Sequence, residues 1–234
     1  MRTPFFLVLI FIFSCCNGVN NTQMKPDNAT FIQALLDQNG ISLSALNIFI
    51  QVFKKEQILE VWAKDKSEKK FKKLIEYKFC KFSGALGPKR KEGDKQIPEG
   101  LYYINRFNPK SNFHLSLGLN YPNKSDILRG DKKQPGSDIF IHGGCQTIGC
   151  IPITNEKIEE LYLLAQLARK SGQSNIQVHI YPTQMTQKKF QQIKRAFPLN
   201  AQFWEELKPF FDEFEKTKEI SSFFIDDSGK YQRR

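Results

Sequence analysis

This sequence of 234 residues lacks several features that would assign it to a common functional class. It has no phosphate-binding loop, because GALGPK at 84–89 has neither the glycine spacing nor the strand-to-helix context of a nucleotide site. No arm or helix concentrates its lysines, although the formal net charge is +11. The charge therefore indicates a solvated basic surface rather than a nucleic-acid partner. Internal repeats and low-complexity tracts are also missing, which excludes repeat architectures.

A long apolar run is missing too, and the N-terminus carries only a short one. Arg2 is followed by the run from Pro4 to Phe13, which is too short to span a bilayer comfortably but suits the core of a signal peptide. Ser14 and Cys15 follow directly and resemble the lipobox of bacterial lipoproteins, in which the cysteine is lipidated. We therefore predict a signal peptide over 1–15, lipidation at Cys15, and export to the periplasm or cell envelope with a lipid anchor. An uncleaved membrane anchor is the alternative.

The rest of the chain is dominated by strand patterns. Residues 16–45 are predicted to form a polar tether and a short helix that ends at Gly40, and residues 183–234 a helical extension. Between them, at 46–182, one strong helix begins after Thr154 and the remaining apolar segments alternate with period two. This pattern predicts an α+β, β-rich domain with a mixed sheet. The predicted strand segments are NIFIQVF, ILEVWAK, FKKLIEYKF, GLYYINRF, NFHLSLGL, SDIFIHG and NIQVHIYP.

Cysteine is scarce, and its number is informative. Of the five cysteines, Cys15 and Cys16 belong to the leader region, so Cys80, Cys145 and Cys150 remain in the folded part. An exported protein with an odd number of cysteines keeps at least one of them unpaired within the chain. Such a leftover thiol indicates reactivity. Cys80 itself is predicted to be a small, buried apolar side chain.

Two of these cysteines flank a glycine-rich turn in IHGGCQTIGCIPIT, residues 141–154. Three interpretations compete for this stretch. His142, Cys145 and Cys150 are acceptable zinc ligands if Cys80 or His179 supplies the fourth. Alternatively, Cys145 and Cys150 form a disulfide, which the spacing and the compartment permit.

The third interpretation is a cysteine nucleophile with a histidine base. A neighbouring imidazolium lowers the pKa of a thiol, and backbone N–H groups of a Gly-Cys turn stabilise an oxyanion. Gly149 permits a positive φ and a close approach of the backbone. This interpretation explains the glycines, the exposed position between a strand and a helix, and the odd thiol together, and we prefer it.

The stretch resembles the active-site motif of L,D-transpeptidases, the YkuD-type enzymes of the bacterial cell wall. Their pattern is an upstream histidine followed by Ser/Thr-His-Gly-Cys, which His142 and Thr147-Ile148-Gly149-Cys150 match except at Ile148. The Arg or Asn common two positions after the cysteine is Pro152 here. GDKQIPEGLYYI at 93–104 is similar to a second family marker. The runs SGALGPK, NPKSNFHLS, NYPN and HGGCQTIGC, and the tail FWEELKPFFDEFEK, resemble the YafK-like branch.

The resemblance implies roles for individual residues. Cys150 is the expected nucleophile and His142 the expected proton donor and acceptor, whereas Thr147 and Gly149 are expected to form the turn and contribute to oxyanion stabilisation. Neither a metal nor a cofactor is expected in this chemistry. Further residues are expected to shape the cleft: Gly143, Cys145, His114 and Tyr121.

The same resemblance implies a reaction. Cys150 would attack the carbonyl of the third, diamino-acid residue of a peptidoglycan stem tetrapeptide, and the thioester would be transferred to an acceptor amine. A hydrolase of the same family, which trims peptidoglycan or releases wall-linked protein, is one alternative. A non-catalytic wall-binding protein is the alternative from another class.

Overall fold

The structure is a computed structural model that describes residues 26–234. The predicted signal peptide, the lipidation site at Cys15 and the tether up to residue 25 lie outside the described residues. Within the described part, no helix combines the length and apolar character needed to cross a membrane.

A sheet of eight strands forms the centre of the protein, in the order β3-β2-β1-β8-β4-β5-β6-β7. β1 pairs in parallel with β8, and β6 pairs in parallel with β7, while the other neighbours are antiparallel, so the sheet is mixed as predicted. All seven predicted strand segments are present, and the short β7 is added to them. The strands are β1 (Leu46–Phe53), β2 (Ile58–Asp65), β3 (Lys72–Lys78), β4 (Gly100–Ser111), β5 (His114–Leu119), β6 (Phe140–His142), β7 (Ile151–Pro152) and β8 (Gln177–Tyr181).

Helices cover both faces of this sheet. They are α1 (Pro26–Gln38), α2 (Lys124–Arg129), α3 (Asn155–Lys170), α4 (Gln187–Ala196) and α5 (Ala201–Thr217), with short 3-10 turns at Leu43–Ala45 and Pro198–Asn200. On one face of β1, Ile48 and Val52 join the cluster that contains the apolar side of α3. On the other, Phe49 and Phe53 contact the aromatic side chains of α5. Because helices cover both faces of β1, the side chains that alternate along this strand enter two separate apolar cores.

The helix predicted after Thr154 is α3. Its apolar side is buried as the helical spacing predicts, and Thr154 occupies the N-cap position with extended backbone, although its side chain makes no capping hydrogen bond. The helix ends before Gly172, whose φ of +92° lies in the left-handed region that favours glycine. α3 therefore buries one side against the sheet and holds the segment that precedes it, which contains Cys150.

The C-terminal extension was predicted to be helical; α4 and α5 confirm this for most of its length, and the prediction is wrong for its last part. After α5 the chain forms an antiparallel hairpin of β9 (Phe223–Ile225) and β10 (Tyr231–Arg233). The carboxylate of Asp226 accepts hydrogen bonds from the backbone N–H groups of Ser228 and Lys230, which closes the turn. The buried ring of Tyr231 then packs on Phe203 of α5. This tertiary contact explains why local helix propensity did not decide the conformation.

Candidate active site

The predicted nucleophile and base lie at opposite ends of one loop. β6 ends at His142, β7 begins just after Cys150, and the two strands pair in parallel, with Ile141 opposite Ile151. The loop between them brings the chain back alongside β6. The side chains of His142 and Cys150 therefore line one cavity of about 210 Å³ with Phe113, Thr147 and Ile148. The structure therefore brings the two predicted residues together through strand pairing.

The imidazole of His142 is held in one tautomer. Its Nδ1 lies 2.6 Å from the carbonyl oxygen of Gly143, and because a carbonyl can only accept, Nδ1 carries the proton and donates. Nε2 is then the basic nitrogen. The ring is buried and packs on Phe113 with ring centroids 4.7 Å apart, and burial lowers the pKa of His142. At neutral pH this side chain is a neutral base.

Cys150 is the free thiol among the cysteines that the structure describes. Its Sγ lies 3.7 Å from the carbonyl oxygen of Asp138. Burial raises the pKa of the Cys150 thiol; the carboxylate of Asp138 adds to this, while the backbone N–H of Phe140 and the ammonium of Lys89 oppose it. The thiolate that the sequence argument expected is therefore not favoured at rest. The resting pair is a neutral thiol and a neutral imidazole.

Thr147 and Gly149 form the turn that leads to Cys150. The hydroxyl of Thr147 donates to the carbonyl of Cys150 at 2.8 Å and accepts from the N–H of Gly149 at 3.2 Å. Gly149 has a φ of +139°, and a Cβ there would lie 3.1 Å from the carbonyl oxygen of Gln96. Both residues therefore shape the turn. The N–H of Gly149 is engaged by Thr147, so it is not free in this conformation to stabilise an oxyanion.

Asn155 and Phe113 support the site and were not identified from the sequence. The side-chain oxygen of Asn155 accepts a hydrogen bond of 2.9 Å from the N–H of Gly144. A Cβ at Gly143 would lie 2.7 Å from the same oxygen and 2.8 Å from the carbonyl of Phe113, so only glycine fits. The signal available in the sequence was the position of Asn155 at the start of the helix, next to the motif. These contacts connect α3 and the turn between β4 and β5 to the loop.

The disulfide in this region is neither of the arrangements expected from the sequence. Cys145 is bonded to Cys80, with Cα atoms 5.3 Å apart, so Cys80 is not an isolated apolar side chain and Cys145 is not bonded to Cys150. The two residues are 65 positions apart in the chain, and the backbone explains how they meet. The N–H of Cys80 donates to the carbonyl of Pro152 at 3.1 Å, which places the segment after β3 beside β7. The bond joins this segment to the loop between His142 and Cys150.

Replacing Cys145 by Ala is expected to lower the free energy of unfolding by about 2–4 kcal/mol, because the disulfide restricts a long loop of the unfolded chain. We expect Cys80→Ala to show a similar loss, since both changes break the same bond. Urea unfolding of each variant measures it. If Cys80→Ala is destabilised and Cys145→Ala is not, the bond is not the source of the stability.

The disulfide also excludes the predicted alternative of a metal site, because a bonded Cys145 offers no thiolate to a metal. Across residues 26–234, no group of three or more His, Cys, Asp or Glu side chains is arranged to hold a metal ion. His179, the proposed distant ligand, is buried in β8 and contacts Phe49 with ring centroids 4.7 Å apart. Burial lowers its pKa to about 3. His179 is therefore a neutral core residue.

The other predicted cleft residues lie in different places. His114 has a φ of +71° and its Nε2 lies 2.7 Å from Glu159 of α3. It lines a separate cavity of about 310 Å³ together with Cys145 and Asn155. Tyr121 is a core residue and not a cleft residue, because its ring is buried and its hydroxyl donates to the carbonyl of Pro135 at 2.7 Å. Its ring instead contacts that of Tyr102 in the core.

A second cavity next to Cys150 carries charged side chains. It has a volume of about 300 Å³ and is lined by Ile139, Ile148, Gly149 and Cys150 and by Lys89, Glu92, Lys95 and Asp138. Of these charged side chains only Lys95 lies within residues 93–104, the segment identified from the sequence as a family marker, and none of the four was predicted to line the site. Cys150 thus lies between an apolar cavity that contains His142 and a charged one.

Comparison with known proteins identifies relatives of the chain. Residues 47–189 match the family model of the L,D-transpeptidase catalytic domain, YkuD. The chain is 37% identical over 173 residues to the "Putative L,D-transpeptidase YafK" of Escherichia coli (strain K12), an alignment that covers 73% of this chain and 68% of that protein.

Among solved structures, the chain is similar to the helical cell shape determining protein Pgp2 from Campylobacter jejuni, with a TM-score of 0.46 and 19% identity over 86% of this chain and 80% of that one. The K307A mutant of the same protein matches with a TM-score of 0.46 and 22% identity, covering 68% of this chain and 57% of the Pgp2 chain. The match to the mutant therefore spans little more than half of that solved chain.

Proposed function

This chain belongs to the L,D-transpeptidase catalytic-domain family, and from that membership and the geometry of its cleft we propose that it acts on peptidoglycan stem peptides through a thioester on Cys150. Membership of the family supports a transpeptidase-type function at the cell wall. The observation that carries the finer proposal is the shared cavity: the free thiol of Cys150 and the imidazole of His142 line the same small space.

The first step is acylation of the thiol. As the sulfur of Cys150 attacks the carbonyl carbon of the third residue of the stem, its proton moves to Nε2 of His142. The hydrogen bond from Nδ1 to Gly143 holds the ring and stabilises the imidazolium that forms. When the C–N bond breaks, His142 returns the proton to the departing amine of the terminal D-alanine. A thioester and a free amino acid are the products of this step.

The second step resolves the thioester. An acceptor amine attacks the same carbonyl carbon, His142 removes a proton from the amine, and the thiol of Cys150 is regenerated with a new amide bond. Water in place of the amine yields a carboxylic acid and makes the enzyme a hydrolase. The two reactions share every residue named here, so the acceptor decides between them.

Incubation of the purified protein with defined tetrapeptide muropeptides tests the proposal, with the products identified by mass spectrometry. Cross-linked dimers are expected for a transpeptidase, and tripeptides alone indicate the hydrolase. If neither product forms with the wild-type protein, the enzymatic proposal is wrong and the wall-binding alternative is favoured.

The neutral resting pair predicts a particular pH dependence. Because burial lowers the pKa of His142, kcat/KM should rise with pH, and the midpoint of that rise should lie below about pH 6.5, the ordinary value for histidine. Because burial raises the pKa of Cys150, alkylation of the thiol by iodoacetamide should keep accelerating above about pH 8.5. Peptide mapping identifies alkylation at Cys150, and its rate is compared with the rate of alkylation of N-acetylcysteine. An alkylation rate that is already constant at pH 7 indicates a preformed thiolate and contradicts the neutral pair.

Export and lipid anchoring remain part of the proposal. A peptidoglycan substrate requires the enzyme to reach the cell envelope, and the leader predicted over 1–15 supplies a route. Replacing Cys15 by Ser is expected to release the protein from the membrane fraction, because the lipid would no longer be attached.

A further inference from the structure

The peptide group between Gly143 and Gly144 makes a hydrogen bond at each end. Its carbonyl, which belongs to Gly143, accepts from Nδ1 of His142 at 2.6 Å. Its N–H, which belongs to Gly144, donates to the side-chain oxygen of Asn155 at 2.9 Å. A trans peptide group is planar, and its carbonyl and its N–H point in opposite directions. The contact that fixes the N–H therefore also fixes the direction of the carbonyl that His142 uses.

The covalent structure of this segment does not hold that peptide group in one orientation. Both flanking residues are glycine, which populates positive and negative φ about equally, and Gly144 has a φ of +70°. A peptide group between two glycines can therefore turn over at low steric cost, whereas a Cβ on either side would restrict it. Such a flip leaves the neighbouring Cα atoms nearly in place, so the disulfide at Cys145 does not prevent it. The hydrogen-bond partners select the orientation.

Asn155 is the partner that lies outside the loop. It is the first residue of α3, and the buried apolar side of this helix fixes its backbone. A Cβ at Gly143 would lie 2.7 Å from the side-chain oxygen of Asn155, which shows how closely that oxygen covers the peptide group. The glycine pair thus permits both the close approach of Asn155 and the flip that Asn155 opposes.

The orientation of this peptide group decides which nitrogen of His142 is the base. With the carbonyl of Gly143 facing the ring, Nδ1 carries the proton and Nε2 keeps a free electron pair. After a flip, the N–H of Gly144 would face the ring instead. Nδ1 would then be the acceptor, and the proton would reside on Nε2. A protonated Nε2 cannot take the proton of the Cys150 thiol.

We propose that Asn155 is a positioning residue that selects the catalytic tautomer of His142 by holding the peptide group between Gly143 and Gly144. The hydrogen bonds form a chain from Asn155 through this peptide group to Nδ1, and each bond in such a chain polarises the next. The choice of tautomer depends on the fold alone. Its consequence for catalysis rests on the proposed function, in which Nε2 accepts the thiol proton.

Nitrogen-15 NMR of the imidazole rings of the purified protein tests this inference without any substrate. Spectra are recorded at about pH 7.5, above the ordinary pKa of about 6.5 for histidine, which burial lowers further for His142. The chain has three histidines, so the variant His142→Gln assigns the signals of this ring. The buried, neutral His179 is the reference for the opposite tautomer, because its Nε2 lies 3.0 Å from the side-chain oxygen of Gln177.

Wild-type protein should carry the proton of His142 on Nδ1. Asn155→Leu, and Asn155→Ala without added bulk, should shift the tautomer ratio about 10-fold or more toward Nε2–H, the effect of leaving one peptide N–H without its partner. Turnover of a tetrapeptide should fall in proportion to the remaining Nδ1–H fraction, up to the 10²- to 10⁴-fold contribution of a general base. Asn155→Asp retains an acceptor oxygen and should retain the wild-type tautomer and most of the turnover.

Thr154→Val is the matched control, because the neighbouring hydroxyl makes no capping hydrogen bond to α3. It should leave the tautomer ratio unchanged. A ratio that stays at the wild-type value in both Asn155→Leu and Asn155→Ala overturns the inference, as does a wild-type His142 with its proton on Nε2. An Asn155→Asp variant that loses the tautomer as fully as Asn155→Leu also contradicts it. Wild-type protein without turnover, but with the expected tautomer shift in the variants, refutes the proposed function and keeps the role of Asn155.

Discussion

Replacement of Cys150 by Ala should abolish both release of D-alanine and formation of new cross-links, with a loss of at least about 10⁴-fold in kcat. The alanine side chain has no nucleophilic atom, and among the described residues the other two cysteines are joined in the disulfide between Cys80 and Cys145. No thiol within 26–234 can therefore replace Cys150. Turnover of defined tetrapeptides, followed by mass spectrometry, measures the effect.

Cys145→Ala is the matched control for this prediction. It removes a cysteine five positions away in the same loop but leaves Cys150 and His142 in place. We expect measurable activity from this variant at temperatures at which it is folded, together with the stability loss described above. Peptide mapping after reaction with a carbapenem-type acyl donor should locate the acyl group on Cys150. An adduct on Cys145, together with activity of Cys150→Ala, would reverse the assignment of the nucleophile.

Replacement of Glu99 by Ala should lower the free energy of unfolding by about 3–5 kcal/mol, because it leaves a buried lysine without its countercharge. Lys54 and Glu99 are both fully buried, with the ammonium 3.0 Å from the carboxylate. Burial lowers the pKa of Lys54, which shows that its charged form is already disfavoured there. The second oxygen of Glu99 accepts a hydrogen bond of 2.6 Å from the indole of Trp204 on α5. The change therefore also weakens the contact between the extension and the sheet.

Urea unfolding of Glu99→Ala measures this loss, which is large compared with a typical total stability of about 5–15 kcal/mol. The double variant Lys54→Met with Glu99→Leu should recover only part of it: no uncompensated ammonium remains, but the indole N–H of Trp204 and the N–H of Gly87 still lack their acceptor. Asp212→Ala is the control for an exposed ion pair, that with Lys208, and should cost less than about 0.5 kcal/mol. A loss at Glu99 no greater than that at Asp212 would mean that the buried pair does not stabilise the fold.

Much of the fold could be read from local patterns in the sequence. The seven predicted strands exist, and α3 begins after Thr154, because alternation of period two and helical spacing reflect contacts that each segment makes with its own neighbours. The hairpin of β9 and β10 was missed because it depends on Tyr231, whose burial involves α5 and the sheet. Local propensity has no information about such a distant partner.

The candidate site also has features that the sequence predicted and features that only the fold decided. The sequence by itself placed His142, Gly149 and Cys150 in one short segment, and the resemblance of several motifs to the L,D-transpeptidases predicted the family, which the match to the family model confirms. Only the tertiary structure decided that Cys145 pairs with Cys80, because two cysteines separated by 65 positions meet only when the sheet has formed. Likewise, the tautomer of His142 and the charged side chains that line the cavity beside Cys150 depend on atoms that folding brings together. Residue spacing specifies neighbours in the chain, whereas packing specifies neighbours in space.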